Sequence, residues 1–342
     1  MRSNNKKYRV ISLFTGCGGL DLGFVNAGFE VVWANDIDHA ACETYRRNFG
    51  EHIYEGDIAN FDIDAIPDGD IVIGGFPCQD FSVVSKQGGI ETKRGNLYKF
   101  FVNVVERKQP LAFVAENVRG LLTANGGKAI EQIKKDFEAC GKGYTLHAKV
   151  YNFANYGVPQ LRHRLVMVGI RKDLKREFIP PDPTHTSNNY VTAEQAFKGV
   201  ENAKFNNEKT KIRQKTADML SQIPEGGNFT AIKDPKLMLN VRLPLSLIYR
   251  RLNRNKPSTT IVACGGGGTW GYHYEEPRPL TNRERARIQS FPDDFIFEGS
   301  NTEVRKQIGN AVPPLGIERI AERLLETLNT EGNLSANENK KK

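Results

Sequence analysis

The segment RVISLFTGCGGLDLG, residues 9–23, joins a short apolar run to a glycine-rich turn and the first turns of a predicted helix. An apolar run that ends in glycines is typical of a buried strand leading into a tight turn. The predicted strands cover residues 9–14, 29–34, 70–75, 111–115 and 165–170. The predicted helices cover residues 20–27, 39–48, 97–107 and 128–140, with two more over 281–290 and 317–328. This alternation predicts an α/β fold with a mostly parallel, doubly wound sheet, whose functional residues gather at the carboxyl ends of the strands.

The composition is that of a globular chain with a moderate basic excess. The 342 residues include 48 Lys and Arg against 40 Asp and Glu, a net charge of +8, and 39% are hydrophobic. This apolar content excludes a wholly disordered chain, and no apolar run approaches the roughly 20 residues of a membrane-spanning helix. The polar N-terminus does not read as a signal peptide, so we expect a cytoplasmic protein. The five cysteines are widely spaced, so neither a disulfide framework nor a metal site is expected.

The sequence changes character after Pro183, where periodicity becomes weak and Asn, Lys and Thr are frequent. The segment 204–256 carries 12 Lys and Arg against 4 acidic residues, so its net charge equals that of the whole chain. Such a concentration suits the phosphates of a nucleic acid. We expect one domain from residues 1–183 and 301–330, a smaller irregular domain with a hinge from 184–300, and a disordered tail over 331–342.

The glycine-rich turn Phe14–Gly19 and the acid Asp36 suggest a nucleoside site. Glycines allow a sharp turn and let a ligand approach the backbone closely. Asp36 ends the second predicted strand about 20 residues later, where a carboxylate can bind ribose hydroxyls. The G-x-G-x-x-G fingerprint fails, because Asp21 occupies the third glycine position. An NAD-dependent enzyme is therefore disfavoured and other nucleoside cofactors stay open. The alternative is a tight turn beside a surface carboxylate.

Three further motifs carry reactive side chains. Cys78 follows a buried strand; a lone cysteine is most often a small buried hydrophobe, but the strand end and its polar neighbours favour a nucleophile. Glu116 ends another strand, where a partly desolvated carboxyl either donates a proton or caps a turn. Arg162 and Arg164 point to the same side of an extended segment, which suits an anion, a base edge or a solvated strand edge.

In this order and spacing, the motifs resemble those of the bacterial DNA (cytosine-5) methyltransferases, including the methylases of type II restriction–modification systems. The resemblance covers residues 10–180 and 278–328. Its motifs are Phe14–Gly19, Pro77-Cys78-Gln79, Glu116-Asn117-Val118, Gln160-x-Arg162-x-Arg164, Arg278–Pro292 and Gly309-Asn310-x-Val312-Pro313. It implies the Rossmann-like, doubly wound fold of S-adenosylmethionine-dependent methyltransferases, with a smaller, irregular domain that recognises the DNA target.

The resemblance also implies a reaction. A methyl group passes from S-adenosylmethionine to C5 of a cytosine in a specific double-stranded DNA sequence, leaving S-adenosylhomocysteine and using no metal. Cys78 is then the nucleophile that adds to cytosine C6, and Glu116 is the acid that protonates N3. Arg164 contacts the base, with Arg162 supporting the same pocket. Because the target base is stacked inside the duplex, the enzyme must flip it out.

The family's pattern assigns cofactor and DNA contacts to particular residues. We expect Asp36 to bind the ribose, Asp57 to approach the adenine amino group and Asn310 to close the pocket. The full cofactor set is Phe14, Gly16, Cys17, Gly18, Gly19, Asp36, Ile37, Asp57, Ile58, Pro77, Leu97, Asn310 and Val312. The DNA-contacting candidates are Gln79, Ser82, Arg94, Arg242, Arg250, Arg251 and Arg254. A monomer is expected, nucleoid-associated when bound to DNA, with a restriction endonuclease as its genetic partner.

Two other functions fit parts of the pattern. A tRNA cytosine methyltransferase of the DNA-methyltransferase-like type shares the catalytic motifs, although the long basic region favours DNA. A non-catalytic DNA-binding paralogue is disfavoured by the intact Cys78, Glu116 and Arg164. Comparing methyl transfer to duplex DNA and to tRNA distinguishes a DNA methyltransferase from a tRNA methyltransferase. Comparing the binding of NAD and of S-adenosylmethionine distinguishes a methyltransferase from an oxidoreductase.

Overall fold

The central element of the fold is a seven-stranded sheet with the strand order β3-β2-β1-β4-β5-β8-β6. The structure, a computed structural model, describes residues 7–76, 97–238, 246, 248–263 and 270–330. The strands of the sheet are β1 (Arg9–Leu13), β2 (Glu30–Asp36), β3 (Ile53–Glu55), β4 (Ile71–Gly74), β5 (Ala112–Val118), β6 (Tyr144–Asn152) and β8 (His163–Arg171). A short strand β7 (Gln160–Leu161) precedes β8 outside this sheet.

The sheet is mostly parallel with one reversed strand. β1 pairs in parallel with β2 and β4, β2 with β3, and β4 with β5, whereas β8 runs antiparallel to both β5 and β6. The predicted α/β fold and the five predicted strands are therefore confirmed. Two strands of the sheet were not predicted. β3 has only three residues, and the edge strand β6 interrupts its apolar residues with polar ones such as His147 and Lys149.

Helices cover both faces of the sheet, as a doubly wound fold requires. They are α1 (Gly19–Asn26), α2 (His39–Phe49), α3 (Leu97–Lys108), α4 (Lys128–Ala139) and, near the C-terminus, α9 (Pro314–Asn329). On one face, Phe24 of α1 and Ile317 and Leu324 of α9 pack against Val10 and Ile73. On the other face, the apolar sides of α3 and α4 complete a second buried cluster. The four predicted helices of the first half are confirmed to within two residues.

The region after residue 183 forms small elements rather than another large sheet. These are α5 (Ala193–Phe197), α6 (Gln214–Gln222), β9 (Arg250–Arg251), β10 (Ser258–Thr259), β11 (Trp270–Tyr272), α7 (Asn282–Ile288) and α8 (Asn301–Asn310). β9 pairs with β11, while β10 pairs with β7 and so attaches this region to the chain entering β8. None of the described helices is long and apolar enough to span a membrane.

The segment after α7 packs against the glycine-rich turn. Phe291, Phe295 and Phe297 share a buried cluster with Cys17 and with Ile308 of α8. The residues between the irregular region and the last helix therefore form part of the wall beside the end of β1. This contact places the C-terminal segment next to the first strand of the sheet, almost 300 residues away in sequence.

The packing of α1 on α9 depends on Gly23. A Cβ at Gly23 would lie 2.1 Å from Cγ2 of Ile317 and 2.7 Å from the carbonyl oxygen of Pro314. Although alanine is the better helix former, Gly23→Ala should lower the free energy of unfolding by about 1–3 kcal/mol, because both neighbours belong to a packed helix. Urea unfolding measures this change.

The matched control is Gly120→Ala, where a Cβ would meet no atom within 4 Å. This control should change the unfolding free energy by less than about 0.5 kcal/mol. Equal effects of the two substitutions would contradict the close approach of α1 and α9.

Candidate active site

The site lies at the edge of the sheet where β4 and β5 end and β8 begins. Because β8 is antiparallel to β5, its first residues lie beside the last residues of β5, and Arg164 pairs across the strands with Val118. Glu116 pairs with Val166, so Glu116 and Arg164 are diagonal neighbours, a spacing that long side chains bridge. The reversed strand thus brings together two side chains that are 48 positions apart in the sequence.

Glu116 and Arg164 form a largely buried ion pair. The Arg164 Nε lies 3.0 Å from the Glu116 Oε1, and their side chains are 15% and 12% exposed, respectively. Burial nevertheless raises the pKa of Glu116, because the loss of solvation outweighs the opposing positive charges of Arg164 and Arg162. The result is a carboxyl group held in a fixed position with an increased tendency to carry a proton.

The end of β4 is fixed against the same pair. The Asn117 side-chain amide donates to the Phe76 carbonyl oxygen at 2.8 Å. A Cβ at Gly75 would lie 3.1 Å from the Glu116 Oε2, so the absence of a side chain there leaves room for the carboxylate. Phe76 is the last described residue before the predicted nucleophile Cys78. Pro77, Cys78, Gln79, Ser82 and Arg94 lie outside the described residues.

Arg162 has different surroundings from those expected. Its side chain is 1% exposed, and its two terminal nitrogens donate to the carbonyl oxygens of Ile261 at 3.3 Å, Gly309 at 3.0 Å and Ala311 at 2.9 Å. The expected roles, with Arg164 at the base and Arg162 supporting the same pocket, stay predictions, and the structure shows which groups each side chain contacts. Arg164 faces Glu116, whereas the donors of Arg162 are used by main-chain carbonyls from two distant segments.

Gln160 and Gln289 extend this arrangement into a buried polar cluster, which we define as Gln160, Arg162 and Gln289. The Gln160 amide donates to the Gln289 Oε1 at 2.7 Å, and its oxygen accepts from the Ile261 N–H at 2.8 Å. Gln289 donates to the carbonyl of Ile308 at 2.6 Å. Both glutamines occur in the motifs quoted above, but nothing in the local sequence indicates their partners.

The glycine-rich turn forms where β1 ends beside β2. Phe14 adopts a left-handed conformation with φ 56°, and the Gly16 N–H donates to the Asp36 Oδ2 at 2.7 Å. The other oxygen of Asp36 accepts from the Asp38 N–H at 2.9 Å. Burial raises the pKa of Asp36, although these two N–H groups oppose the shift. Asp36 therefore holds the turn in place, and each of its carboxylate oxygens can still accept a hydrogen bond from another donor.

The other cofactor candidates differ in their surroundings. Ile37 is 69% exposed, whereas Ile58 is buried. Asp57 is exposed and caps the short 3₁₀ helix Ile58–Asn60. Leu97 begins α3 and packs with Phe14 around the second apolar cluster.

The C-terminal candidates lie beside the turn. A Cβ at Gly19 would lie 2.5 Å from the Val312 carbonyl oxygen, while Asn310 is exposed at the end of α8. Cys17 is 2% exposed, and burial raises the pKa of its thiol to about 12, so this sulfur is a packing group rather than a reactive one. The structure thus brings the two distant parts of the expected cofactor set together.

The arginines expected to contact DNA differ in how many of their N–H groups are already hydrogen-bonded within the protein. Arg251 donates to the carbonyl oxygens of Leu220, Ile223, His273, Tyr274 and Glu275. Its expected role at DNA is corrected, because main-chain oxygens occupy the whole guanidinium group. Arg254 pairs with Glu225 at 2.9 Å and lies over the Tyr274 ring. Arg250 is half-buried with no ion pair to another described residue, and Arg242 lies outside the described residues.

One group of side chains in the described part of the chain has the spacing of metal ligands. The ligand atoms of His39, Glu43 and Glu55 lie within 4.8 Å of one another on the surface. Arg46 donates to Glu43 at 2.6 Å and to Glu55 at 2.8 Å. Both carboxylates are therefore already paired with a guanidinium group.

The fold and the edge of the sheet together define an α/β enzyme with a methyltransferase-like architecture. A solved structure of a putative DNA modification methyltransferase encoded within an E. coli prophage superposes with a TM-score of 0.75, covering 95% of this chain and 100% of that one at 24% identity. At this identity the comparison establishes the fold.

Sequence comparisons identify the family. The sequence model of the C-5 cytosine-specific DNA methylases matches residues 8–326. The type II methyltransferase M.NgoFVII of Neisseria gonorrhoeae is 57% identical over 95% of this chain and 88% of its own length. M.BbvI of Brevibacillus brevis is 45% identical over 94% and 91%, respectively. The chain belongs to the C-5 cytosine-specific DNA methylase family and is a DNA (cytosine-5-)-methyltransferase.

The buried polar cluster predicts a strong dependence of stability on Arg162. A lysine has a single nitrogen and cannot reach three carbonyls with the fork of a guanidinium group. Arg162→Lys should therefore lower the free energy of unfolding by about 3 kcal/mol, because buried carbonyls lose their donors. Chemical denaturation monitored by circular dichroism measures the change.

The control is Arg319→Lys, because Arg319 forms a half-exposed i,i+3 pair with Glu322. This control should change stability by no more than about 0.5 kcal/mol. A small effect of Arg162→Lys, comparable with that of the control, would show that the carbonyl contacts do not stabilise the fold.

Proposed function

We propose that this methyltransferase transfers the methyl group of S-adenosylmethionine to C5 of a cytosine that is flipped out of a specific double-stranded DNA sequence. The observation that carries the proposal is the Glu116–Arg164 pair, beside which the neighbouring Asn117 binds the main chain of Phe76, two residues before Cys78. A nucleophile, a proton donor and a base-orienting cation then share one edge of the sheet. Membership of the C-5 cytosine-specific family supports the choice of atom and base.

The chemistry assigned to these residues follows from the poor nucleophilicity of cytosine C5. Addition of the Cys78 thiolate to C6 converts the ring into an enamine, whose C5 is nucleophilic. Negative charge develops on the ring during this addition, and a proton from Glu116 to N3 relieves it. Arg164 orients the base and keeps Glu116 in place. After methylation, C5 loses its proton to solvent, Cys78 is eliminated as the thiolate and the N3 proton returns to Glu116, which restores the aromatic ring.

The residues around the glycine-rich turn fit S-adenosylmethionine, which supplies the methyl group from a sulfonium centre. A Cβ at Gly16 would meet no atom within 4 Å, so the turn is open at Gly16. Asp36 offers acceptors for ribose hydroxyls, and the exposed side chain of Ile37 offers an apolar surface for an adenine ring. Asp57 and Asn310 are exposed polar groups available for the adenine amino group and for closing the pocket.

We assign DNA recognition to the irregular region. In the proposed division, residues 1–183 and 301–330 form the catalytic domain, and residues 184–300 form the target-recognition domain with its hinge. Nine Lys and Arg side chains among the described residues of this region are exposed, namely Lys198, Lys204, Lys209, Lys211, Arg213, Lys215, Lys233, Lys236 and Lys256. Such side chains bind phosphates, while base edges are read by other groups. Of the described arginines expected to contact DNA, Arg250 is the one whose guanidinium group forms no ion pair with another described residue and is not occupied by main-chain oxygens.

The names of the relatives support a setting in restriction and modification. M.NgoFVII and M.BbvI are both named type II methyltransferases. We infer that the present enzyme works as a monomer in the cytoplasm, associated with the nucleoid when bound to DNA. There it protects host DNA from an endonuclease that cuts the same sequence.

The proposed function predicts that Glu116→Gln lowers the rate of methyl transfer and leaves DNA binding nearly unchanged. A glutamine keeps the size and an acceptor for Arg164 but cannot transfer a proton, so kcat should fall by about 10²–10⁴-fold while the Kd for DNA changes by less than about threefold. Transfer of a labelled methyl group to genomic DNA lacking cytosine methylation measures the rate, with tRNA as the alternative substrate.

The matched control is Glu131→Gln, on the exposed side of α4, which should leave kcat unchanged. Full activity of Glu116→Gln would contradict the role of Glu116 as acid. Efficient methylation of tRNA without methylation of DNA would contradict the proposed substrate.

A further inference from the structure

A buried carboxylate lies beneath the glycine-rich turn. Asp21, in the first turn of α1, is 0% exposed. Its Oδ2 accepts hydrogen bonds from the hydroxyls of Ser12 at 3.0 Å and Thr15 at 2.6 Å, and its Oδ1 accepts from the hydroxyl of Tyr45 at 3.0 Å. These donors come from β1, from the turn and from α2. The carboxylate therefore ties the turn to both elements that flank it.

No basic side chain in the described part of the chain compensates the charge of Asp21. Among the residues that the structure describes, no Lys or Arg forms an ion pair with it. Burial raises the pKa of Asp21 to about 6, against the opposing effect of hydrogen bonds from Thr15, Ser12 and Tyr45. At neutral pH the group is thus largely ionised, stabilised by three hydroxyls and by its own backbone N–H, and its burial costs stability there.

An asparagine would satisfy the same hydrogen bonds without this cost. The amide oxygen would accept from Ser12 and Thr15, and the amide N–H would donate to Tyr45. The Tyr45 hydroxyl, which lies 3.1 Å from His52 Nε2, would then donate to that ring. A carboxylate that destabilises the fold where an amide would serve is typical of a functional group.

The turn above Asp21 lies in a negative field. Cys17, at the centre of the turn, has its pKa raised chiefly by burial and further by the charges of Asp36 and Asp21. Lys306, the described basic residue that pairs nearby, contacts Asp38 at 2.6 Å. Two carboxylates thus contact a turn that is open at Gly16.

We propose that Asp21 is a positioning residue that fixes the turn through Thr15 and makes the site prefer the cationic sulfonium substrate to its neutral thioether product. The inference rests on the proposed use of S-adenosylmethionine. That compound carries one positive charge more than S-adenosylhomocysteine, so a nearby buried anion attracts the two unequally. The asymmetry helps the enzyme to release product and bind substrate.

The test is to measure both ligands by isothermal titration calorimetry with Asp21→Asn in the absence of DNA. Loss of the buried negative charge should weaken the binding of S-adenosylmethionine about tenfold, which corresponds to about 1.4 kcal/mol. The Kd of S-adenosylhomocysteine should change by less than about threefold, because the hydrogen bonds persist. The control Asp62→Asn removes an equal charge from an exposed cap and should change neither Kd.

A second variant distinguishes the effect of Asp21 on the position of the turn from the effect of its charge. Thr15→Val removes the 2.6 Å hydrogen bond but keeps the carboxylate, so it should weaken both ligands by the same factor. Unfolding measurements provide a further readout, in which Asp21→Asn should be more stable than the wild type at pH 8. This advantage should shrink below about pH 6, where the wild-type carboxyl takes up a proton. The neighbouring Tyr45 and Cys17 stay neutral over this range, and burial lowers the pKa of His52.

The possible results are distinguishable. Equal weakening of both ligands by Asp21→Asn, or no weakening of either, overturns the proposed discrimination. A less stable Asp21→Asn protein at pH 8 shows that the carboxylate is a structural element and also overturns it. A wild-type protein that binds neither ligand contradicts the proposed function itself, whereas a wild type that binds both, with an unchanged ratio in the variant, contradicts only the role of Asp21.

Discussion

The structure depends on the buried guanidinium group of Arg162. Its nitrogens bind main-chain carbonyls of Ile261, Gly309 and Ala311, which lie outside regular strands and could not otherwise be buried without cost. A guanidinium group suits this task because its donors form a rigid, planar fork. Gln160 and Gln289 complete the cluster and bind the same segments. Through these contacts the irregular region and the C-terminal segment are attached beside the sheet edge that carries the reactive groups.

The two arginines of one short motif therefore perform different tasks. Arg164 lies at the start of β8, where the reversed strand places it against Glu116, whereas Arg162 is turned into the protein interior. At the same edge, the Asn117 side-chain amide donates to the Phe76 carbonyl oxygen and so fixes the backbone two residues before Cys78. Chemistry at this edge consequently relies on a scaffold assembled from distant parts of the chain.

The periodicity of the sequence was sufficient to predict four of the five parallel strands and the convergence of their ends, because both follow from local patterns of apolar residues, whereas β3 is too short to give such a pattern. The family resemblance assigned Glu116 and Arg164 to one pocket, and the structure places them in contact. The surroundings of Arg162, Arg251 and Asp21 could not be predicted. Their partners are main-chain carbonyls or hydroxyls set by tertiary packing, and some lie more than 100 residues away. Asp21 appeared in the sequence only as the residue that breaks a glycine fingerprint.

Covalent trapping tests most directly whether Cys78 attacks a cytosine held at this edge. A long duplex with 5-fluorocytosine in place of every cytosine contains the recognition sequence whatever it is. After methylation, fluorine cannot leave C5 as the proton does, so the enzyme should remain bound to DNA through Cys78 in the presence of S-adenosylmethionine. We predict a denaturant-resistant complex whose DNA-linked peptide contains Cys78, and none with Cys78→Ala. A complex that forms equally with Cys78→Ala, or an active wild type that never forms one, would contradict the account.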